Sequence, residues 1–382
     1  MQYRLPPFRE KVCTFLQRKI QKRFLKVEIS AHQLTTKNDK QLMQFSGLKN
    51  STFFFIFSAV IISLLSFKAK DDKTIIVSKD GKGNFTTVQQ AIDAVEEGTS
   101  VRTKIIIKPG TYREKITIAT TKSPIILIGE KAENTILVYG DYASKQNAEG
   151  KNIGTTGSST LFIFSDDFSA KNITFQNDAG PVGQAVAVLT TGDRIAFENC
   201  RFLGFQDTLY TKGAQDNPDK SKVSRNYFKN CYIEGTTDYI FGAGTAVFEN
   251  CTIYSKKNAS YVTAASTIEG NEFGYVFINC NLKGDADSNS VYLGRPWRPF
   301  AKTVFVNCAI DSTIKKEGWH NWSKPDAEKT TFYAEYNSKG KGANPSRRVS
   351  WSHQLTKDQA KKYTAKNILK GKDNWNFKKS FK

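Results

Sequence analysis

Histidine is scarce in this chain of 382 residues. There are three in all, and of these only His320 and His353 lie beyond residue 70. No G-x-S-x-G nucleophile elbow and no H-E-x-x-H pair occurs. A Ser-His-Asp mechanism and a histidine-rich metal site therefore have little to be built from. The glycines of "GKGNF" (81–85) are not followed by G-K-[ST], so that stretch reads as a turn and not as a phosphate loop. Methionine is rare too, with two residues, whereas 27 Phe and 15 Tyr bias the chain toward strands.

Long apolar runs are missing apart from "STFFFIFSAVIISLLSF", Ser51 to Phe67. Its length falls between a signal-peptide h-region and a membrane span. Lys49 precedes it, and Met43 opens a short positive segment, which makes Met43 the expected start. On that reading residues 1–42 are a non-physiological or disordered extension and residues 43–69 a signal peptide or N-terminal anchor. Residues 70–382 are the working domain, secreted to the periplasm or the extracellular space and not stably inserted in a membrane after processing.

Acidic residues are in deficit. The formal charge is +20, of which residues 1–69 contribute +9 and the remainder +11. That balance attracts polyanions, whether nucleic acid, an anionic membrane or an acidic polysaccharide, although charge alone does not choose among them and a solvated lysine-rich surface is the more ordinary source of it.

What the chain does contain is an imperfect repeat. Aromatic-x-Asn-Cys recurs as "FENC" (197–200), "FKNC" (228–231), "FENC" (248–251), "FINC" (277–280) and "FVNC" (305–308). Successive cysteines stand 31, 20, 29 and 28 residues apart, and "KNITF" (171–175) reads as an earlier rung without the thiol. Within each unit polar and apolar residues alternate, a period of two and not 3.6. Repeats of this length built from short strands predict an all-β chain, a parallel β-helix in which each coil lays its strands on the last. The Asn is expected at the same turn of every coil, satisfying backbone groups, and the five repeat cysteines inside as free thiols. The sixth, Cys13, precedes the apolar segment.

Two short flanking helices are expected. "TTVQQAIDAVEEG", with Thr87 and Gln90 as a capping box, should cover the open first coil, and "LTKDQAKKYTAKNILKG" (355–371), with Thr356 and Gln359, should pack near the other end.

Register then singles out two acids. Asp207 follows Cys200 by seven residues and Asp238 follows Cys231 by seven, so aligned cysteines align the aspartates on neighbouring coils. Asn258 holds that offset after Cys251, which ends the pair. Two such carboxylates share their titration. They serve either glycoside hydrolysis, as acid plus base or nucleophile, or ester hydrolysis, in which one attacks the acyl carbon and the other protonates the leaving alcohol.

The motifs "GTYREKI" (110–116), "GQAVAVL" (183–189), "QDTLY" (206–210), "DYIFG" (238–242) and "LGRPW" (293–297) occur in the order found in the pectin methylesterases (pectinesterases), which this chain resembles from about Thr74 to Leu369. The resemblance implies a right-handed parallel β-helix and hydrolysis of C6 methyl esters of galacturonosyl residues in pectin. It implies Asp238 as nucleophile, Asp207 as general acid and then base, and Gln184 and Gln206 as oxyanion donors. Arg295 would bond Asp238, Trp297 and Phe241 would face sugar rings, and Thr155 would line the substrate site. Tyr239 stands where the family commonly has Phe, placing a hydroxyl beside the nucleophile. "VTAAST" (262–267) departs from the Gln-Gly-Arg of many plant members and points to a bacterial one. The resemblance implies action on methyl-esterified pectin (homogalacturonan) with no cofactor, no metal and no nucleic-acid partner, and a solenoid capped at both ends, needing no partner, is expected as a monomer. Three other readings remain: a lyase or glycosidase of the same polymer, a non-catalytic carbohydrate-binding β-helix, and an acyl thioesterase-like paralogue.

Overall fold

The computed structural model describes residues 72–213 and 223–382. The apolar segment, Met43 and Cys13 lie outside the described residues. Short strands of two to six residues follow one another with a turn between them, and all the strand pairings are parallel. They stack into three sheets of eleven, eight and seven strands among the described residues. One coil shows the plan: Arg225–Lys229 joins the eleven-stranded sheet, Tyr232–Gly235 the eight-stranded one and Thr237–Gly242 the seven-stranded one, before Thr245–Glu249 begins the next turn. The architecture is the parallel β-helix expected from the repeat.

The repeat residues explain the stacking. Phe197, Phe228, Phe248, Phe277 and Phe305 pair in register, with ring centroids 5.1, 4.7, 4.5 and 4.5 Å apart and planes within 14° of parallel. The five thiols that follow are buried and free. Between each pair the Asn adopts a left-handed backbone, at Asn199, Asn230, Asn250, Asn279 and Asn307. Asn tolerates that conformation better than most residues, which is why it recurs at the bend. Several of these amides bond one another rather than the backbone: Asn199 donates to Asn172 and Asn230 to Asn199, each at 3.3 Å, and Asn337 donates to Asn307 at 2.8 Å.

The helix over Val88–Asp93 starts at Thr87, whose hydroxyl accepts from the Gln90 N–H, and it buries Val88, Ala91 and Ile92 against the first coil. The second predicted helix differs from expectation. It breaks into Lys357–Ala360, with the Thr356–Gln359 capping box, and Ala365–Leu369, with a fresh cap at Thr364. Nor does it close the far end. Tyr363, Ala365, Ile368 and Leu369 pack on outward-facing Tyr227, Val247 and Val276 of the eleven-stranded sheet, because those strands are apolar on both faces. Val349 and Trp351 pack against the core at the last coil instead.

Candidate active site

The outward face of the seven-stranded sheet carries Phe162, Leu189, Tyr210, Phe241 and Ala264 in one register row. Tyr210 and Phe241 stack at 4.1 Å, and Trp297 leans on both at 6.1 and 5.8 Å. Tyr210, Phe241, Ala264 and Trp297 floor a cleft of about 540 Å3. Asp207, Asp238, Gln184, Gln206, Arg295, Trp297, Phe241 and Thr155 all line it. Thr155 sits in the short helical turn Gly154–Gly157 that forms part of the wall.

The two aspartates are neighbours on adjacent coils. An offset of 31 pairs Phe202 with Ile233 before them and Leu209 with Ile240 after them, and the Asp207 N–H donates to Thr237 O at 3.0 Å. Both sit in the left-handed region, with φ of 67° and 49°. Against the following strand, Thr237 pairs with Tyr261 but Ile240 with Thr263, so three steps on one strand face two on the other. That is a bulge, and a bulge re-aims side chains. It turns Asp238 into the cleft.

The bulge and the loop that follows each correct one expectation. Tyr239 is not beside the reacting atoms: it is fully buried in the coil interior with its hydroxyl 2.9 Å from Ser255 Oγ, because the extra residue sends Tyr239 and Ile240 both inward. Asn258 does not occupy the third rung, since register with the preceding coil runs to Ser255 and resumes at Tyr261 after an intervening loop.

Arg295 reaches Asp238 from two coils further on, past the Tyr261–Ala265 strand. Its backbone N–H donates to Thr263 O at 2.9 Å, its Nε donates to Asp238 Oδ1 at 2.9 Å and a terminal nitrogen to Oδ2 at 2.7 Å. No described residue donates a hydrogen bond to the Asp207 carboxylate. Burial pushes both carboxyls above their usual range. Arg295 opposes this at Asp238 through bonds and charge, whereas Asp207 also feels the Asp238 charge and rises well above the usual range. The guanidinium thus separates the two carboxyls, holding Asp238 to a smaller rise than Asp207.

Gln184 and Gln206 pair across neighbouring coils through a parallel bridge. Among the described residues neither side-chain amide has a hydrogen-bond partner, so both are free to donate into the cleft. The sequence reading missed Tyr210, Tyr261 and Trp322. Tyr210 closes "QDTLY" and could have been found by its register with Phe241. Tyr261 and Trp322 follow loops of variable length, where the cysteine count no longer gives register. Among the described residues no cluster of three or more His, Cys, Asp or Glu is placed to hold a metal ion, and no helix is long and apolar enough to cross a membrane.

Residues 74–372 match the family model described as Pectinesterase. The chain is 40% identical to Pectinesterase 31 of Arabidopsis thaliana over 294 residues, 75% of this chain and 89% of that one. Its structure resembles pectin methylesterase from carrot with a TM-score of 0.70 at 32% identity, covering 81% of this chain and 96% of that one. A pectin methylesterase solved in complex with a hexasaccharide matches with a TM-score of 0.68 at 32% identity, over 79% and 98% of the two chains.

Proposed function

The chain belongs to the pectinesterase family, and from that premise we propose that it removes the C6 methyl esters of galacturonosyl residues in pectin through Asp238 as nucleophile. The observation that carries this reading is the unequal treatment of the two acids: Asp238 is held by Arg295, and Asp207 is buried beside it without a cation of its own. A nucleophile must be charged and an acid must hold its proton, and the cleft supports both at once.

The Asp238 carboxylate attacks the ester carbonyl carbon. The oxyanion that develops accepts hydrogen bonds from the Gln184 and Gln206 amides. As the tetrahedral intermediate collapses, the C–O bond to methoxide breaks and the Asp207 proton leaves with it as methanol. An anhydride between Asp238 and the galacturonosyl C6 remains. Asp207, now a carboxylate, takes a proton from water, whose oxygen adds to C6. Collapse then releases Asp238 as carboxylate and the product acid, and Asp207 keeps the proton it needs for the next turn. Trp297 and Phe241 supply apolar faces for sugar rings at the floor of the cleft.

The net positive charge of residues 70–382 suits a polymer that grows more anionic as esters are lost, and makes binding weaken with salt. A wall polysaccharide as substrate fits export through the Ser51–Phe67 segment, with the monomer as working unit.

Methylated pectin and polygalacturonate offered to the purified protein test this reading. Methanol release without chain shortening or unsaturated product is the expected result. Chain cleavage without methanol would replace the esterase by a lyase or glycosidase, and methanol release by folded Asp238→Ala would remove the nucleophile.

A further inference from the structure

Arg295 is held by more than Asp238. Its guanidinium carbon lies 3.9 Å from the centre of the Tyr261 ring and 3.6 Å from that of Trp322. Two rings that close to one planar group must take its opposite faces. The guanidinium is a filling between aromatic plates, so that its edge is left to meet the carboxylate.

Trp322 occupies that position at a conformational cost. Its φ is 58° and that of Ser323 is 54°, two successive non-glycine residues in the left-handed region. Such a turn needs bonds to hold it. The Trp322 N–H donates to His320 Nδ1 at 3.1 Å, the Ser323 N–H to Asn321 Oδ1 at 2.9 Å and the Lys324 N–H to Asn321 O at 3.1 Å. His320 is fixed in turn by its own N–H, which donates to the carbonyl of Gly294 next to Arg295 at 3.1 Å. Its ring lies against Tyr261 and Tyr292 with centroids 5.7 and 5.2 Å away, and the Tyr261 hydroxyl is 3.4 Å from Nδ1. One imidazole therefore touches one plate, carries the backbone of the other and hangs from the residue that precedes Arg295.

We propose that His320 is a positioning residue for the ester hydrolysis, its Nδ1 accepting from the Trp322 N–H so that Trp322 and Tyr261 lock the Arg295 guanidinium edge-on to Asp238. This rests on the reading of Asp238 as nucleophile. The role requires a bare Nδ1, hence the proton on Nε2. The titratable and charged groups around the imidazole are Tyr261, Tyr292, Arg295 and Lys315, and burial with the two cations lowers its proton affinity. A proton on Nδ1 would set donor against donor at Trp322 and bring a second cation to Arg295.

Trp322 lines the cleft itself, so the test is made at His320. His320→Phe keeps a ring and removes the acceptor. His320→Asn offers a side-chain oxygen near the place of Nδ1. With methylated pectin at neutral pH, His320→Phe should lower kcat about tenfold, the worth of one such bond, with KM changed less than about twofold. His320→Asn should recover most of that loss. Nitrogen-15 NMR of the wild-type imidazoles, with His320 assigned by its disappearance in the Asn variant, should show His320 in the Nε2–H tautomer. Thermal melts establish that both variants are folded. The proposal is overturned if the tautomer is Nδ1–H, if folded His320→Phe retains wild-type kcat, or if the Asn and Phe variants are equally impaired. A wild-type protein that releases no methanol marks failure of the esterase reading itself, and the tautomer still decides whether Nδ1 is the acceptor.

Discussion

Asp207 and Asp238 stand side by side on neighbouring coils, yet only Asp238 is bonded to a cation, through two nitrogens of Arg295. Two equivalent carboxyls would share one proton without preference. Here the guanidinium breaks the tie, and it comes from the coil carrying "LGRPW", two coils beyond Asp238.

That asymmetry predicts the pH dependence of kcat/KM. Activity falls as pH drops through the Asp238 titration, since the nucleophile then carries a proton. It falls again as pH rises through the Asp207 titration, which burial and the Asp238 charge place well above the usual carboxylate range. Asp207→Asn should abolish the alkaline limb and lower kcat by about 10²–10⁴-fold, the usual worth of general acid–base catalysis. Arg295→Leu should move the acid limb to higher pH, because burial at Asp238 is then unopposed. Methanol release between pH 4 and 10 measures all three profiles, and an alkaline limb retained in folded Asp207→Asn would take the acid's role from Asp207.

Gln184 and Gln206 give a second, cleaner test. Neither amide is tied to another described residue, so removing one leaves no buried partner stranded. Each single change to Ala should lower kcat about 10²–10³-fold, as loss of one oxyanion donor does elsewhere, with little change in KM. Melting temperature should stay within a degree or two of wild type. A large fall in melting temperature with kcat intact would make these residues structural.

The repeat made the fold legible because stacking forces identity. A Phe that meets another Phe, an Asn at a left-handed bend and a thiol in a narrow interior are each the same answer to the same local problem, coil after coil. The acid pair was legible for the same reason, since the coil from Cys200 to Cys231 keeps one offset on both sides of it. Tyr239 was not, because the bulge at Asp238 breaks the alternation that a strand pattern assumes. Tyr261, His320 and Trp322 reach Arg295 from beyond loops, where counting along the chain carries no spatial information. The C-terminal helices were misplaced because their apolar face has two possible homes, the open end and the flank of the solenoid, and only packing distinguishes them.

The flank is secured by Arg225. Its guanidinium, 5% exposed, donates to Asp193 from Nε at 2.9 Å, to Asp373 at 2.6 and 2.7 Å and to Leu369 O at 2.9 Å, joining a strand to the C-terminal tail. Arg225→Met should cost about 1–3 kcal/mol in urea unfolding, the worth of charge-assisted bonds lost while Arg194 still pairs both Asp193 and Asp373. The bond also depresses the Asp373 carboxyl, from 3.8 to about 2. A group depressed on folding stabilises the protein above its unfolded value and ceases to as pH falls through its folded one. Wild type should therefore lose stability between pH 4 and 2 partly at this site, by an amount that the exposure of Asp373 keeps small. The Met variant should lose less over that window, and amides of 357–381 should exchange faster in it. An unchanged urea midpoint would mean that the tail is held by its apolar face alone.

The coil spacing beneath the acids depends on Gly235. A Cβ there would meet Tyr239 Cβ at 2.2 Å and Phe205 O at 2.6 Å. Neither neighbour can swing away, one being the root of a side chain and the other backbone. Phe205 leads into Gln206 and Asp207, and Tyr239 follows Asp238, so relief of the clash must move one acid relative to the other. Gly235→Ala should destabilise the protein by about 1–3 kcal/mol, the ordinary cost of overpacking. It should also lower kcat of the folded fraction at least about tenfold, because misplacing reacting groups by an ångström costs more than that. No atom of Gly235 lines the cleft, so KM should hold. Circular dichroism gives the folded fraction and methanol release gives the rate. Wild-type kcat in a destabilised variant would show that the acids tolerate displacement, and that the geometry matters less than the charges it brings together.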